Sequence, residues 1–369
     1  MGRNGDHYHP FYGGYMLNGR VRGILDGSKI LSSGKETTSN LSWSGFEFLF
    51  EYEDQVEEEL YVLDKKVECG LGDPISIQAR VNGLLDNLLK CCSACEARLN
   101  GKPDLLNSLQ ERFQWRLISI KFMAQSPFMR QIFIKPYGYA GDHKVIDMIY
   151  TNEPAGNGIV PFIETYCYNT PACQSVRNRK EFVKRLILQE STRKRDMQVF
   201  NLASGPAREI AELACDSMLY GHVRILNIDH EPEAHVYAKS LMKGCSEWIE
   251  ADYAVDSAFK IALRDSNEKR YGFHDMVICA GLLDYLSEKW AVRLMKVLYG
   301  LLRPGGLLVA GNFSTANPTR VLMEWAVNWH IIHRSEEEFR NLFEKAGLKG
   351  AVIDSEPLGI NLFGVVRKV

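Results

Sequence analysis

The chain has 369 residues, 46% of them hydrophobic and 24% charged, the balance of a soluble globular protein with room for two domains. Lys and Arg number 44 against 46 Asp and Glu, a net charge of -2, which gives no electrostatic reason to expect nucleic acid or an anionic membrane as partner. No apolar run approaches the ~18 residues of a membrane span. The opening MGRNGDHYHPFYGG lacks the apolar core of a secretory signal, and nine cysteines lie scattered, which together read as a reducing, cytoplasmic setting.

Residues 1–70 form the first of three expected regions. They are Gly- and Ser-rich at the start, and the alternation of residues 45–52, GFEFLFEY, predicts short strands and a small β-rich N-terminus. Residues 71–195 read as a helical cap or substrate region, with apolar residues at three- and four-residue spacing over 74–99, 103–123, 161–168 and 175–189. Cys91, Cys92 and Cys95 fall within the first of these helices, and no second ligand pair stands near them, so no metal site is expected. A loop with two glycines and two tyrosines, KPYGYAGD (135–142), interrupts the region.

From residue 196 strands and helices alternate. Strands are expected at 197–203, 223–228, 247–252, 275–281 and 307–313, with helices between them, which implies a parallel sheet covered on both faces. The chain then ends in two strands joined by a turn, GAVIDSEPLGINLFGVVRK. The predicted fold is α/β: a Rossmann-like seven-stranded domain over 196–369, closed by an antiparallel hairpin, behind a mostly helical region.

In such a sheet the ligand lies beyond the carboxyl ends of the strands. Ala203, Ser204 and Gly205, in the first strand-to-helix turn NLASGPA, are small enough for close backbone approach, although the turn departs from GxGxxG. Asp229 closes the second strand, where a carboxylate can accept both ribose hydroxyls, and His230 follows it. Asp252 is expected to close the third strand and accept an adenine amino group, with Tyr253 over the ring. Gly281, ending the fourth strand, would admit the rest of the cofactor.

These segments, with CAGLLDYL and LLRPGG, resemble the class I S-adenosylmethionine-dependent methyltransferases across 196–369. More narrowly, KPYGYAGD, YNTPACQSVRNR (168–179) and NLASGPAREI resemble the methyltransferases of extracellular-factor 3-hydroxypalmitic acid methyl ester biosynthesis, over roughly residues 105–369. The resemblance implies S-adenosyl-L-methionine as cofactor, a small-molecule acceptor, and methylation of a fatty-acid carboxylate. Nitrogen or carbon methylation, or a regulatory protein that binds the cofactor without turnover, are the other readings open to the same residues. A homodimer is compatible with the same reading.

A carboxylate acceptor is already ionised at neutral pH, whereas a hydroxyl needs a base within reach. His330, Tyr139 and His143 are the candidate catalytic residues. Tyr137 joins the cofactor set because an aromatic face attracts a sulfonium. Arg177 and Arg179, in VRNRKEF, can pair with a carboxylate of cofactor or substrate, and Trp325 and Trp329, near helical spacing in the segment after the fifth strand, can roof an acceptor pocket. Residues 40–45, NLSWSG, resemble half of the cyclic-di-GMP-binding PilZ pattern, whose RxxxR companion is missing because Arg20 and Arg22 stand only two apart.

Overall fold

The computed structural model describes residues 43–216, 219–244 and 248–369; Arg20, Arg22 and the first three residues of the half-motif at 40–45 lie outside them. Among the described residues no helix is long and apolar enough to cross a membrane. The chain divides into two units. Of the described residues, one unit comprises those up to Gly141, with Pro154–Tyr168 and Arg320–His330; the other comprises those within Asp142–Glu153, Asn169–Thr319 and Ile331–Val369. The helical residues that precede the sheet fall in both units.

The first unit is helical. Helix α1 (Glu47–Glu68) corrects the expectation of strands over 45–52. Its buried residues Leu49, Val56, Leu60 and Leu63 follow helical spacing, whereas the alternating aromatics stay half-buried. Arg98 covers the Phe48 ring, and Arg112 and Arg116 cover Phe50, so these rings find partners without a sheet. Helix α2 (Pro74–Arg98) starts at Asp73, whose carboxylate accepts the Ser76 N–H, and carries Cys92 and Cys95 on its buried face. Burial pushes both thiols up, Cys95 to about 12, so neither is a nucleophile at neutral pH. Helices α3 (Pro103–Ser119), α4 (Lys121–Gln125) and α5 (Pro127–Ile134) follow.

The second unit begins with α6 (His143–Thr151), while α7 (Val160–Tyr168) returns to the first. Helix α8 (Pro171–Arg193) belongs with the sheet: its Phe182 stacks on Phe363 at 3.9 Å, and Val183 and Ile187 share a core with Val199 and Ile225.

The sheet runs β1 (Asp196–Leu202), α9 (Arg208–Asp216), β2 (His222–Asp229), α10 (Pro232–Leu241), β3 (Ile249–Val255), α11 (Ala258–Leu263), α12 (Asn267–Tyr271), β4 (His274–Cys279), α13 (Glu288–Gly300), β5 (Leu302–Phe313), α14 (Glu336–Lys345), β6 (Val352–Ser355) and β7 (Asn361–Arg367). Strand order is β3-β2-β1-β4-β5-β7-β6. The first five strands pair in parallel, and β7 pairs antiparallel with both β5 and β6, so the closing hairpin is present. Central strands are buried almost throughout, which is why they read as apolar runs. This is the seven-stranded, methyltransferase-like form of the Rossmann fold.

Candidate functional site

Strand order reverses between β1 and β4, which puts the ligand crevice at the carboxyl ends of the central strands. In the turn that leaves β1, Ala203, Gly205 and Ala207 hold φ values of 54, 52 and 46°. Left-handed backbone costs a residue with a Cβ on the order of 1 kcal/mol, and the turn carries nothing bulkier than a methyl at these positions. A Cβ built on Gly205 meets no atom within 4 Å, so the turn faces open space there. Ser204 donates its N–H to the Ile228 carbonyl at 3.2 Å, and its buried hydroxyl has no hydrogen-bond partner.

Asp229 ends β2 as expected and is 5% exposed. One carboxylate oxygen accepts the Gly205 N–H at 2.8 Å, and the other accepts the Glu231 N–H at 3.1 Å and lies 3.2 Å from His230 Nδ1. Burial works to raise the Asp229 pKa, but the His230, Gly205 and Glu231 bonds together hold it below the ordinary value. His230 is raised in turn, chiefly by its bond to Asp229. The acid is thus ionised at neutral pH and tied to the first turn.

Three expected cofactor residues need correction. Asp252 does not close β3: the strand continues to Val255, and Asp252 is an exposed mid-strand residue opposite Leu226. The acid beyond the strand end is Asp256, whose N–H donates to the Asp229 carbonyl and whose carboxylate already takes Arg264 at 2.8 Å and the Tyr271 hydroxyl. Tyr253 packs its ring against His235 at 5.5 Å and under Lys239, on the sheet face beneath α10, which removes it from the role of a ring cover. At Gly281 it is a guanidinium that approaches closely, since a Cβ there would lie 2.9 Å from Arg179 Nη1.

Arg179, two residues from Arg177, is a buried cation of this unit. It sits with Tyr150, Asp284 and Glu209, all of which act on its charge. Burial pushes Asp284 up to about 6 against the pull of the Phe313 N–H, Arg179 and Arg334, and burial likewise raises Glu209. Arg177 instead donates to the Ile149 carbonyl at 3.3 Å and to Gln174 at 2.9 Å. Only the buried arginine was distinguishable by structure, because both share one helix and one motif.

His143, a candidate base, is 3% exposed and sits 2.8 Å through Nδ1 from Glu231 Oε2. It opens α6, which Asp142 caps by accepting the Lys144 and Val145 N–H groups.

The remaining candidates belong to the helical unit. Trp325 is fully buried, edge-on to Phe113 at 5.6 Å, with its indole N–H on Glu96 at 2.7 Å; it is core, not a pocket wall. The expected helical spacing fails beyond it, for only Leu322–Ala326 form a π turn, and Trp329 and His330 follow in irregular chain. Burial, then the Lys135 and Arg320 charges, hold the His330 imidazole below its ordinary value. Tyr137 and Tyr139 lie in the turn after α5, half-buried.

No family model matches this chain, and no curated protein matches it. Among solved structures, a possible exported protein from Bordetella parapertussis is 20% identical and aligns over 69% of this chain and 87% of its own, with a TM-score of 0.54. Magnesium protoporphyrin IX methyltransferase from Synechocystis PCC 6803, solved with bound S-adenosylhomocysteine, is 14% identical over 62% of this chain and 100% of its own, with a TM-score of 0.40. The N-methyltransferase NodS from Bradyrhizobium japonicum WM9, also with that product, is 17% identical over 60% and 98%, with a TM-score of 0.37. The first of these shares the fold.

Proposed function

We propose that the sheet unit binds S-adenosylmethionine and that the protein transfers its methyl group to an oxygen of a small-molecule acceptor, with a fatty-acid-like carboxylate first among acceptors. The observation that carries this reading is the conjunction at β1 and β2: a turn left-handed at three positions, open space at Gly205, and the ionised, buried Asp229 hydrogen-bonded to that same turn. These residues fit a nucleoside with an anionic amino-acid tail. Asp229 offers acceptor oxygens to ribose hydroxyls. Arg179, buried beside Gly281, offers a bidentate donor to the tail's carboxylate, which replaces the expected role of Arg177.

When bound, the cofactor supplies an activated methyl group with a thioether as leaving group. The protein's part is to hold cofactor and acceptor in line and to exclude water. A carboxylate acceptor would need no base, being ionised at neutral pH, whereas a hydroxyl acceptor would have to lose one proton, for which His330 and Tyr139 are the candidate bases. The substrate reading rests on the motif resemblance. Incubation with cofactor labelled in its methyl group, against panels of 3-hydroxy fatty acids, phenols and amines, tests it. Labelled methyl ester is the expected product; label on nitrogen or carbon, or binding with no labelled product, would replace the reading.

A further inference from the structure

Glu231 is the N-cap residue of α10, yet its side chain makes no capping bond. Ser, Thr, Asp and Asn are the residues that cap well at such a position. Here the carboxylate turns away to meet His143 Nδ1 at 2.8 Å, with both side chains almost wholly buried. Its other oxygen has no hydrogen-bond partner. A buried carboxylate held away from its local cap is costly unless the longer-range bond does something in exchange.

The backbone of Glu231 shows what is held. Its N–H donates to Asp229 at 3.1 Å, so the position of Glu231 sets one of the two backbone bonds that orient the Asp229 carboxylate. The same helix that carries His143 also braces the first turn. Asp147 of α6 takes Arg208, at the start of α9, through both oxygens at 2.5 and 2.9 Å, and accepts the Tyr237 hydroxyl of α10. Helix α6 thereby spans the starts of α9 and α10, the two helices that follow the cofactor turns.

We infer that His143 and Glu231 act as a positioning pair for Asp229, with the imidazole anchoring the second turn through Glu231. His143 is then not the base that acts on the acceptor. This inference rests on the cofactor reading above. It assigns the pair an effect on cofactor affinity and none on the chemical step once the cofactor is saturating.

The test is a double-mutant cycle of His143→Ala and Glu231→Ala, read by calorimetric titration with S-adenosylhomocysteine and by turnover at saturating cofactor. Each single variant is expected to weaken product affinity by about tenfold and the double variant by no more than either, since coupled residues are non-additive. Turnover at saturation is expected to stay within about twofold of wild type. His143→Gln, whose amide can still donate to Glu231, is expected to recover most of the affinity and keeps the test usable where the alanine variant fails to fold. Wild-type affinity in His143→Ala, additive losses, or loss of turnover with affinity unchanged would each overturn the pair. A wild-type protein that binds no product at all overturns the cofactor reading itself, and is read before any variant.

Discussion

The Asp229 carboxylate accepts an N–H from Gly205 on one oxygen and from Glu231 on the other, so the first two turns of the sheet are joined through one side chain. The turn itself holds two alanines and a glycine at positive φ. An alanine there pays the left-handed cost of about 1 kcal/mol, while a glycine pays a similar amount in unfolded-state entropy. Ala203→Gly and Gly205→Ala, at nearly the same φ and with open space at Gly205, are therefore each predicted to change stability by less than about 0.5 kcal/mol, as measured by urea unfolding. A loss above about 1 kcal/mol from either would contradict this balance. Asp284 carries a pH signature. Its carboxyl titrates near 3.8 when unconstrained and at about 6 in the fold, so the folded state keeps its proton longer. Its contribution is full below the lower value and lost as pH rises through the upper, on the order of 3 kcal/mol. Asp284→Asn keeps an acceptor for the Phe313 N–H and is predicted to gain on wild type by that order between pH 4 and 6. Parallel stability curves would contradict the burial of this acid as the cause.

Helix α6 shows how one short element can matter beyond its length. Asp142, wholly buried, caps it by two N–H bonds. Asp142→Ala is predicted to cost about 1 kcal/mol and to speed hydrogen exchange at Lys144 and Val145 before any other amide of the helix. Unchanged exchange there would show the cap to be idle. At this scale most of the sheet was readable in the sequence, because parallel strands buried on both faces are continuous apolar runs such as residues 275–281, and the helix starts carry Pro at 74, 103 and 171. The closing hairpin was readable from two strands with no helix between them. Residues 45–52 misled because aromatic alternation imitates a strand when arginines from other helices cover the rings. Asp252 misled because β3 runs three residues past it, and strand ends are the least determined feature of a local pattern. In the site, the small residues at 203–207 and Asp229 were legible from their places in the turns. The choice of Arg179 over Arg177 and the pairing of His143 with Glu231 were not, since each depends on contacts between elements distant in the chain.

On the scale of the whole molecule, every group the cofactor reading requires belongs to one unit: the turn after β1, Asp229 and Arg179 all lie within Asn169–Thr319. Tyr137, Tyr139, Trp329 and His330 belong to the other. Cofactor binding can therefore be measured without knowing the acceptor. The most direct measurement is calorimetric titration of the full chain with S-adenosylmethionine and, in parallel, with NADH, repeated on Asp229→Ala. Saturable binding of S-adenosylmethionine, lost or weakened at least tenfold in the variant, with none of NADH, is the predicted result. Binding of NADH instead, or S-adenosylmethionine affinity unaffected by the loss of Asp229, would contradict the account.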